Sequence, residues 1–183
     1  MKKLVVTTIA LIFTIACNLE EKDKDHFHHA GVNISGIIVQ TAPDTMATNE
    51  NGKVVKTEQE WKEILSAKEF RILRDRGTEM PYMNEYYDNK KEGIYYCGAC
   101  GQPLFSSKHK YDSGTGWPSF WKPIEASAVE EREDNSWLMT RTEIVCSKCD
   151  SHIGHVFSDG PKPTGLRYCM NSAALDFKQQ NVD

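Results

Sequence analysis

Two short stretches decide the fold: Cys97-Gly98-Ala99-Cys100 and Cys146-Ser147-Lys148-Cys149, a pair of Cys-x-x-Cys motifs separated by 45 residues. Each motif can hold one metal ion through a tight turn, and four thiolates complete a tetrahedral zinc site without an open position for water. Two disulfides, or a redox-active pair, are the alternatives, because exported proteins often carry disulfides. Neither motif opens a helix after a strand, however, as a redox pair requires. The spacing therefore predicts a structural zinc site made by Cys97, Cys100, Cys146 and Cys149.

The sequence around these motifs predicts a mainly β domain, with short helices at its N-terminal end. Thr57–Glu60 has the pattern of a capping box, and apolar residues at helical spacing follow until Gly77. This indicates one helix or two short ones. Beyond Gly93 the chain is rich in strand-forming residues, and strands are predicted at 94–96, 104–105, 137–145 and 166–171. The charged stretch 125–136 is predicted to be a loop or a short helix with a solvated face.

A sixth cysteine, Cys169, lies in the stretch Arg167-Tyr168-Cys169-Met170-Asn171-Ser172. In a strand, Arg167, Cys169 and Asn171 share one face. A cation beside a thiol favours the thiolate, which is the nucleophilic form. The alternative is a buried small hydrophobe, the common fate of a lone cysteine. Four cysteines are assigned to zinc and Cys17 lies near the N-terminus, so Cys169 is the one left over, which favours a catalytic role.

Two histidines and a carboxylate follow the second cysteine motif. His152, His155 and Asp159 stand upstream of Cys169, and neutral imidazole is suited to acid–base chemistry near neutral pH. A separate metal site made by these three residues is a second interpretation. Four cysteines already saturate a tetrahedral ion, so the acid–base interpretation is preferred.

The N-terminal residues have the pattern of an export signal. Lys2 and Lys3 precede the apolar run 4–16, which is too short to span a bilayer comfortably. Cys17 follows Ala16, as at a bacterial lipoprotein processing site, so residues 1–17 predict a signal segment with a lipidated Cys17. Simple cleavage nearby, or an uncleaved anchor, are the alternatives. Residues 18–56 are predicted to be a tether to a domain at 57–183. Within that tether, His26, His28 and His29 are only weak evidence for a metal site.

Several long motifs in their order along the chain resemble the peptide-methionine (R)-S-oxide reductases of the B class. The likeness runs from about Thr57 to Phe177 and is carried by 111–120, the two cysteine motifs, 154–161 and 167–172. The resemblance implies two antiparallel sheets with a four-cysteine zinc site. It also implies that Cys169 is the nucleophile and that Trp117 receives the substrate methyl group. Other residues implied at the site are His152, His155, Asp159, Arg167, Asn171 and Phe157.

The chemistry that this family implies is reduction of methionine sulfoxide. The Cys169 thiolate, held ionised by Arg167, is expected to attack the sulfoxide sulfur while protonated His155 or His152 donates to the oxygen. Asp159 and Asn171 would orient the polar groups, and Cys169 would be left as a sulfenic acid. Many members of the family have a resolving cysteine where this chain has Thr115. Its absence predicts a one-cysteine enzyme that depends on a thioredoxin-like dithiol or a small thiol.

Composition and location narrow the choice of partners. The formal net charge of −4 gives no reason to expect nucleic-acid binding. Oxidised methionine, in proteins or free, is the expected substrate, and the expected state is a monomer attached to the membrane through Cys17 in the bacterial cell envelope. A zinc-stabilised binding module with an aromatic pocket around Trp117 is the main alternative, and a peroxide-reducing thiol enzyme is another. Cys169 with Arg167 and the two histidines favours the reductase.

Overall fold

The protein is represented by a computed structural model that describes residues 47–136 and 139–180. The predicted signal segment with Cys17, and His26, His28 and His29, lie outside the described residues. Within the described part, no helix is both long and apolar enough to cross a membrane.

Two short helices begin the domain, as the sequence predicted. They are α1 (Glu58–Ile64) and α2 (Ala67–Leu73). Each starts with a complete capping box, in which the first hydroxyl accepts from the amide three residues later and that residue's carboxylate accepts in return. Thr57 caps α1 and Ser66 caps α2. The interruption at Leu65–Ser66 therefore divides the apolar pattern into two helices instead of one.

A three-stranded antiparallel sheet joins two early strands of the domain to its last strand. Its strands are β1 (Gly93–Cys97), β2 (Pro103–Ser106) and β9 (Leu175–Gln179), in the order β2-β1-β9. The second sheet has six antiparallel strands in the order β3-β4-β8-β7-β6-β5. They are β3 (Lys110–Tyr111), β4 (Ser119–Phe120), β5 (Val129–Asp134), β6 (Arg141–Cys146), β7 (His152–Phe157) and β8 (Arg167–Met170). The predicted class, mainly β with two antiparallel sheets, is confirmed.

Aromatic rings from both sheets form the core. Phe105 and Phe120 stack with 4.5 Å between ring centroids, and Tyr95 meets Phe120 edge-on at 5.1 Å. All three side chains are fully buried, and Tyr168 joins them from β8. Burying rings of this size contributes much of the hydrophobic stabilisation of a small domain, so β8, which carries Cys169, and its neighbour β4 are firmly held.

The two cysteine motifs form matching turns. In the first, the Gly101 amide donates to Cys97 O over 2.8 Å, and in the second the Asp150 amide donates to Cys146 O over 3.0 Å. Gly101 and Asp150 both have left-handed backbones, with φ of 72° and 57°. Glycine adopts that conformation without strain and aspartate tolerates it, so each motif closes back on itself and presents its two sulfurs to the same point.

The predictions for residues 125–145 need correction. The stretch 125–136, predicted as a loop or short helix, contains a 3-10 helix at Ala126–Ala128 and then strand β5. The charged residues of this stretch suggested a loop, but β5 is an edge strand, where charged side chains of both signs are tolerated and discourage pairing with other chains. The strand predicted at 137–145 begins only at Arg141, and residues 137–138 lie outside the described part.

The end of the predicted tether packs on the domain. Val54 is buried, and its amide donates to Lys148 O in the second cysteine motif over 2.7 Å. Lys53 Nζ lies 2.8 Å from both Glu130 and Asp150. Residues just before the predicted domain start therefore brace the turn that carries Cys146 and Cys149.

Candidate active site

Cys169 occupies the middle of a three-strand arrangement. It lies directly opposite His155 of β7 on one side and Ser119 of β4 on the other. Side chains directly opposite in an antiparallel pair project from the same face, so these three groups are neighbours. Burial alternates along β8 as predicted: Tyr168 and Met170 turn into the core, while Arg167 and Cys169 are half-buried. The strand thus presents the thiol to the opposite face.

A cavity of about 130 Å³ opens over the thiol. It brings together five of the predicted site residues: Cys169, His155, Asn171, Trp117 and Phe157. Four residues that were not predicted complete its lining, namely Thr78, Arg141, Gly154 and Met170. The lining thus combines indole, phenyl and thioether groups with polar groups, which suits a small ligand with an apolar and a polar end.

Gly154 allows the strands to approach closely beneath this cavity. A Cβ atom at that position would lie only 2.2 Å from Cys169 O and 2.9 Å from Met170 Cα. Any side chain there would force β7 away from β8. Gly154 therefore fixes how far His155 stands from the thiol.

Opposing influences set the protonation of Cys169. Burial raises the pKa of the thiol above its ordinary value. The charge of Arg167 is the strongest influence in the other direction, and contacts with the Thr115 and Ser119 hydroxyls also lower the pKa. Burial prevails, so the free protein holds Cys169 mainly as a thiol at neutral pH. Arg167 acts in the direction that was predicted for it, while burial has the larger effect on the free thiol.

A chain of hydroxyls runs beside the thiol. Ser113 Oγ lies 2.8 Å from Thr115 Oγ1 and 2.7 Å from Ser119 Oγ. Ser119 is fully buried, and its hydroxyl also donates to Trp117 O over 3.2 Å. Thr115, the position at which the resemblance leads one to look for a second cysteine, is therefore in place next to Cys169 but carries a hydroxyl.

Arg167 is held by Asp159 and by an aromatic ring. Its Nε and Nη2 atoms donate to the two carboxylate oxygens of Asp159 over 2.9 Å each, and its guanidinium lies 4.3 Å from the centroid of Phe157. Asp159 is mostly exposed and does not line the cavity over the thiol; it borders a second, polar cavity of about 370 Å³ together with Thr115 and Arg167. Asp159 thus contacts Arg167 and not the cavity over the thiol.

His155 is paired with a carboxylate that was not predicted. Its Nε2 atom lies 2.8 Å from Asp134 Oδ2, and Arg141 donates to the same oxygen over 2.8 Å. Hydrogen bonds from Ser136 and His155 hold the pKa of Asp134 well below its usual range, although burial acts against them. The ionised carboxylate can only accept, so His155 donates from Nε2 and leaves Nδ1 as the free nitrogen.

Burial lowers the pKa of His155, and the bond to Asp134 offsets only part of that effect. The imidazole is therefore neutral at neutral pH in the free protein. Two other cationic or cation-forming groups, Arg141 and His152, face His155 in this partly enclosed site and lower its pKa further.

His152 lies outside the cavity over the thiol. It is buried, and its Nδ1 atom lies 2.7 Å from Glu143 Oε1. Burial acts in the opposite direction, yet hydrogen bonds from His152 and Arg76 lower the pKa of Glu143 to about 2. A neighbouring cavity of about 730 Å³ is lined by His152 and His155 together. Of the two histidines, His155 alone borders both this cavity and the one over the thiol. Neither histidine lies in a candidate metal cluster, since within the described part the four cysteines are the sole group of that kind.

The segment after α2 crosses the site and holds two of the predicted residues. Glu79 O accepts from Trp117 Nε1 over 3.1 Å, and the Glu79 amide donates to Asn171 Oδ1 over 3.1 Å. Asn171 is buried and donates from Nδ2 to Ile153 O over 3.1 Å. Glu79 was not predicted, because its turn-like surroundings give no sign of burial. Glu143 had a detectable signal, namely a carboxylate directly before the apolar run 144–146.

The four cysteines of the two motifs meet at one point, as predicted. All four are buried, and their sulfurs lie within 4.8 Å of one another. Cys97 and Cys149 sulfurs are 3.6 Å apart, as are those of Cys100 and Cys146. A disulfide needs about 2.05 Å, whereas a tetrahedral ion with metal–sulfur bonds of about 2.3 Å separates its ligands by about 3.8 Å. The donor set and spacing fit a closed metal site, so the alternative of two disulfides is wrong for this structure.

Comparison with known proteins identifies the group. The SelR domain family matches residues 65–179. Proteins named peptide methionine sulfoxide reductase MsrB are more than 50% identical to this chain over about 70% of its length. The chain belongs to the MsrB class of peptide methionine sulfoxide reductases. This is the family that the sequence motifs resemble, so the predicted family and the predicted oxidoreductase activity are both confirmed.

The alignments with individual relatives span nearly the whole length of each relative. A peptide methionine sulfoxide reductase MsrB from Hahella chejuensis is 55% identical over 131 residues, which is 72% of this chain and 94% of the relative. The MsrB of Acinetobacter baylyi is 58% identical over 127 residues, covering 69% and 91%. The MsrB of Methanosarcina mazei is 53% identical over 128 residues, covering 70% and 91%.

Proposed function

We propose that this protein reduces methionine (R)-sulfoxide in proteins to methionine, with Cys169 as nucleophile and external thiols as the source of electrons. The observation that carries the proposal is the cavity in which a half-buried cysteine meets Trp117, Phe157 and His155. Methionine sulfoxide is polar and chiral at sulfur but retains an apolar methyl group. An aromatic wall for the methyl group and polar groups for the oxygen match that chemistry.

A single proton relay accounts for the raised pKa of Cys169 and the lowered pKa of His155. The Cys169 thiol and neutral His155 hold one transferable proton between them. His155 Nδ1 takes the proton from the thiol as the sulfur attacks the sulfoxide sulfur, and then delivers it to the sulfoxide oxygen. Asp134 keeps the imidazole in the required tautomer and stabilises its transient positive charge. His155, which borders the thiol cavity, is favoured over His152 as the group that moves the proton.

Collapse of this adduct transfers the oxygen to Cys169. The sulfur–oxygen bond of the substrate breaks, methionine leaves, and Cys169 becomes a sulfenic acid. A first external thiol then displaces water and forms a mixed disulfide, and a second thiol releases Cys169 and carries away the disulfide. The four other cysteines in the described part are committed to the closed cluster. Thr115 therefore supports a one-cysteine cycle that uses a thioredoxin-like dithiol or a small thiol.

A single turnover without reductant tests this cycle, with Thr115→Cys as the matched comparison. Wild type mixed with one equivalent of sulfoxide should give a Cys169 that reacts with dimedone and shows no disulfide by mass spectrometry. The Thr115 hydroxyl is close enough to lower the pKa of the Cys169 thiol, so the variant should trap Cys169 in an intramolecular disulfide and lose dimedone labelling. Finding a Cys169 disulfide within the wild-type chain would overturn the one-cysteine cycle.

We also propose that the four-cysteine site holds one zinc ion. Four buried thiolates with tetrahedral spacing are the preferred ligands of structural zinc and leave no position for substrate. When bound, zinc would cross-link the two cysteine turns and take no part in the redox chemistry. Cys97, Cys100, Cys146 and Cys149 would hold it.

The proposed location is the bacterial cell envelope, with a monomer anchored to the membrane through lipidated Cys17. The charged start, the short apolar run and the cysteine of residues 1–17 support this. An enzyme on such a tether would meet oxidised methionine in neighbouring exported proteins.

A further inference from the structure

A further cavity lies on the other side of Trp117. It has a volume of about 350 Å³ and shares only that indole with the cavity over Cys169. Its lining combines three tyrosines with three lysines: Tyr82, Tyr87, Tyr111, Lys90, Lys91 and Lys110. None of these residues has a part in the chemistry proposed above. Trp117 thus separates a small reaction cavity from a larger cationic and aromatic one.

The aromatic wall of this cavity is fixed in place. The Tyr82 amide donates to Gly116 O over 2.8 Å, and the Tyr82 hydroxyl donates to Gly114 O. The rings of Tyr82 and Tyr87 meet edge-on with centroids 5.9 Å apart. Their loop is thereby attached to the loop that carries Thr115 and Trp117. These hydrogen bonds hold Tyr82 beside Trp117, the residue that borders both cavities.

Lys110 gives the cavity its chemical preference. The residue lies on β3, is half-buried, and donates from Nζ to Tyr87 O over 3.0 Å. Within residues 47–136 and 139–180, no carboxylate stands within ion-pair distance of that ammonium; Asp88 and Asp112 border the cavity farther away. Burial lowers the pKa of Lys110, with the more remote carboxylates opposing the effect. A half-buried cation without a direct counter-ion is stabilised by an anion that enters beside it.

We propose that this cavity binds an acidic side chain of the polypeptide that carries the oxidised methionine. The inference rests on the proposed function, because the oxidised residue must first occupy the cavity over Cys169. An extended chain advances about 3.3–3.6 Å per residue, so a neighbour within about three positions reaches past the indole. The side chain's carboxylate pairs with Lys110, and its backbone packs on Tyr82 and Tyr87. Free methionine sulfoxide leaves the cavity empty, so the site favours a peptide substrate.

Steady-state reduction of defined peptides by the zinc-loaded full-length protein tests this site. Three substrates with (R)-methionine sulfoxide are compared: a peptide with aspartate two positions away, the same peptide with asparagine there, and the blocked amino acid without neighbours. Lys110→Gln removes the charge and keeps a hydrogen-bond donor for Tyr87 O. Lys178→Met is the control, since Lys178 lies over Tyr96 in the other sheet.

The expected result is a kcat/KM for the aspartate peptide at least about threefold above that for the asparagine peptide, a ratio typical of a partly exposed ion pair. Lys110→Gln should bring the ratio to about one without changing turnover of the blocked amino acid, and Lys178→Met should keep the wild-type ratio. Equal kcat/KM values for the two peptides with wild type, or a preference that survives in Lys110→Gln, would contradict the inference. The wild-type ratio needs no variant, so the test stands even if Lys110→Gln folds poorly. Failure of wild type to reduce the blocked amino acid would instead overturn the proposed function, and this site with it.

Discussion

The reactivity of Cys169 is a balance between burial and one cation. Burial favours the thiol, while Arg167 and two hydroxyls favour the thiolate. Arg167 can lower the pKa of the thiol because Asp159 and Phe157 hold its guanidinium in place. A thiol kept protonated until substrate arrives is less exposed to adventitious oxidation, since the thiolate is the form that oxidants attack.

Removing Arg167 should therefore slow the chemistry of the thiol. In Arg167→Met the pKa of Cys169 rises further, so at pH 8 its alkylation by iodoacetamide should be about tenfold slower than in wild type. The two rates should converge at a pH above both pKa values. Peptide mass spectrometry that follows Cys169 alone gives the profile, with Lys178→Met as a control of unchanged charge near the thiol. Superimposable profiles for wild type and Arg167→Met would contradict the assigned role of the arginine.

At this scale the sequence revealed the residues that carry the chemistry but not those that hold them. The period of a strand is enough to put Arg167 and Cys169 on one face. The partners come from distant parts of the chain: Asp134 is 21 residues from His155, and Glu79 is 92 residues from Asn171. No local pattern marks such pairs. The pKa directions of Cys169 and His155 were also beyond the sequence, because both depend on burial.

Among the elements, the two cysteine turns were the most predictable and the edge strand β5 the least. The spacing of a Cys-x-x-Cys turn is set by local backbone geometry, so the motif identifies it directly. Strand β5 is defined instead by its ladder with β6, in which Val129 lies opposite Cys146 and Asp134 opposite Arg141. Its charged residues, which indicated a solvated loop, are those of a sheet edge. One of them, Asp134, turns inward to His155.

The turns should stabilise the fold only as a pair. In Cys97→Ser, one ligand of the proposed zinc is lost from a fully buried position. The zinc content should fall well below one per chain, and the unfolding free energy should fall by several kcal/mol, because metal binding and folding are linked. Metal analysis and thermal unfolding measure the two effects, and Cys169→Ser should retain both zinc and stability. A Cys97→Ser protein with full zinc and an unchanged Tm would show that the site is not the closed cluster described here.

For the whole molecule, the architecture separates two tasks. The aromatic core and the cysteine cluster hold the two sheets, and the face of β4, β8 and β7 carries the residues of the proposed reaction. The class of the fold was predictable, since long ordered motifs specify it. The brace formed by Lys53 and Val54 was not, because a short segment without periodicity gives no sign that it packs on a distant turn.

The location has its own test. Expressed in a bacterial host with a labelled fatty acid, the full-length protein should take up label and sediment with membranes, because lipidation needs the thiol of Cys17. Cys17→Ala should take up none. Equal labelling of the two proteins, or a wild type that is unlabelled and recovered in the soluble fraction, would count against the lipid anchor.

The most direct test of the central claim is turnover of the separated R and S epimers of a blocked methionine sulfoxide. Dithiothreitol serves as the reductant, and wild type is measured beside Cys169→Ser. Reduction of the R epimer alone, abolished in the variant while its zinc content and Tm are unchanged, is the predicted result. Reduction of neither epimer by folded, zinc-loaded wild type, or undiminished reduction by Cys169→Ser, would contradict it.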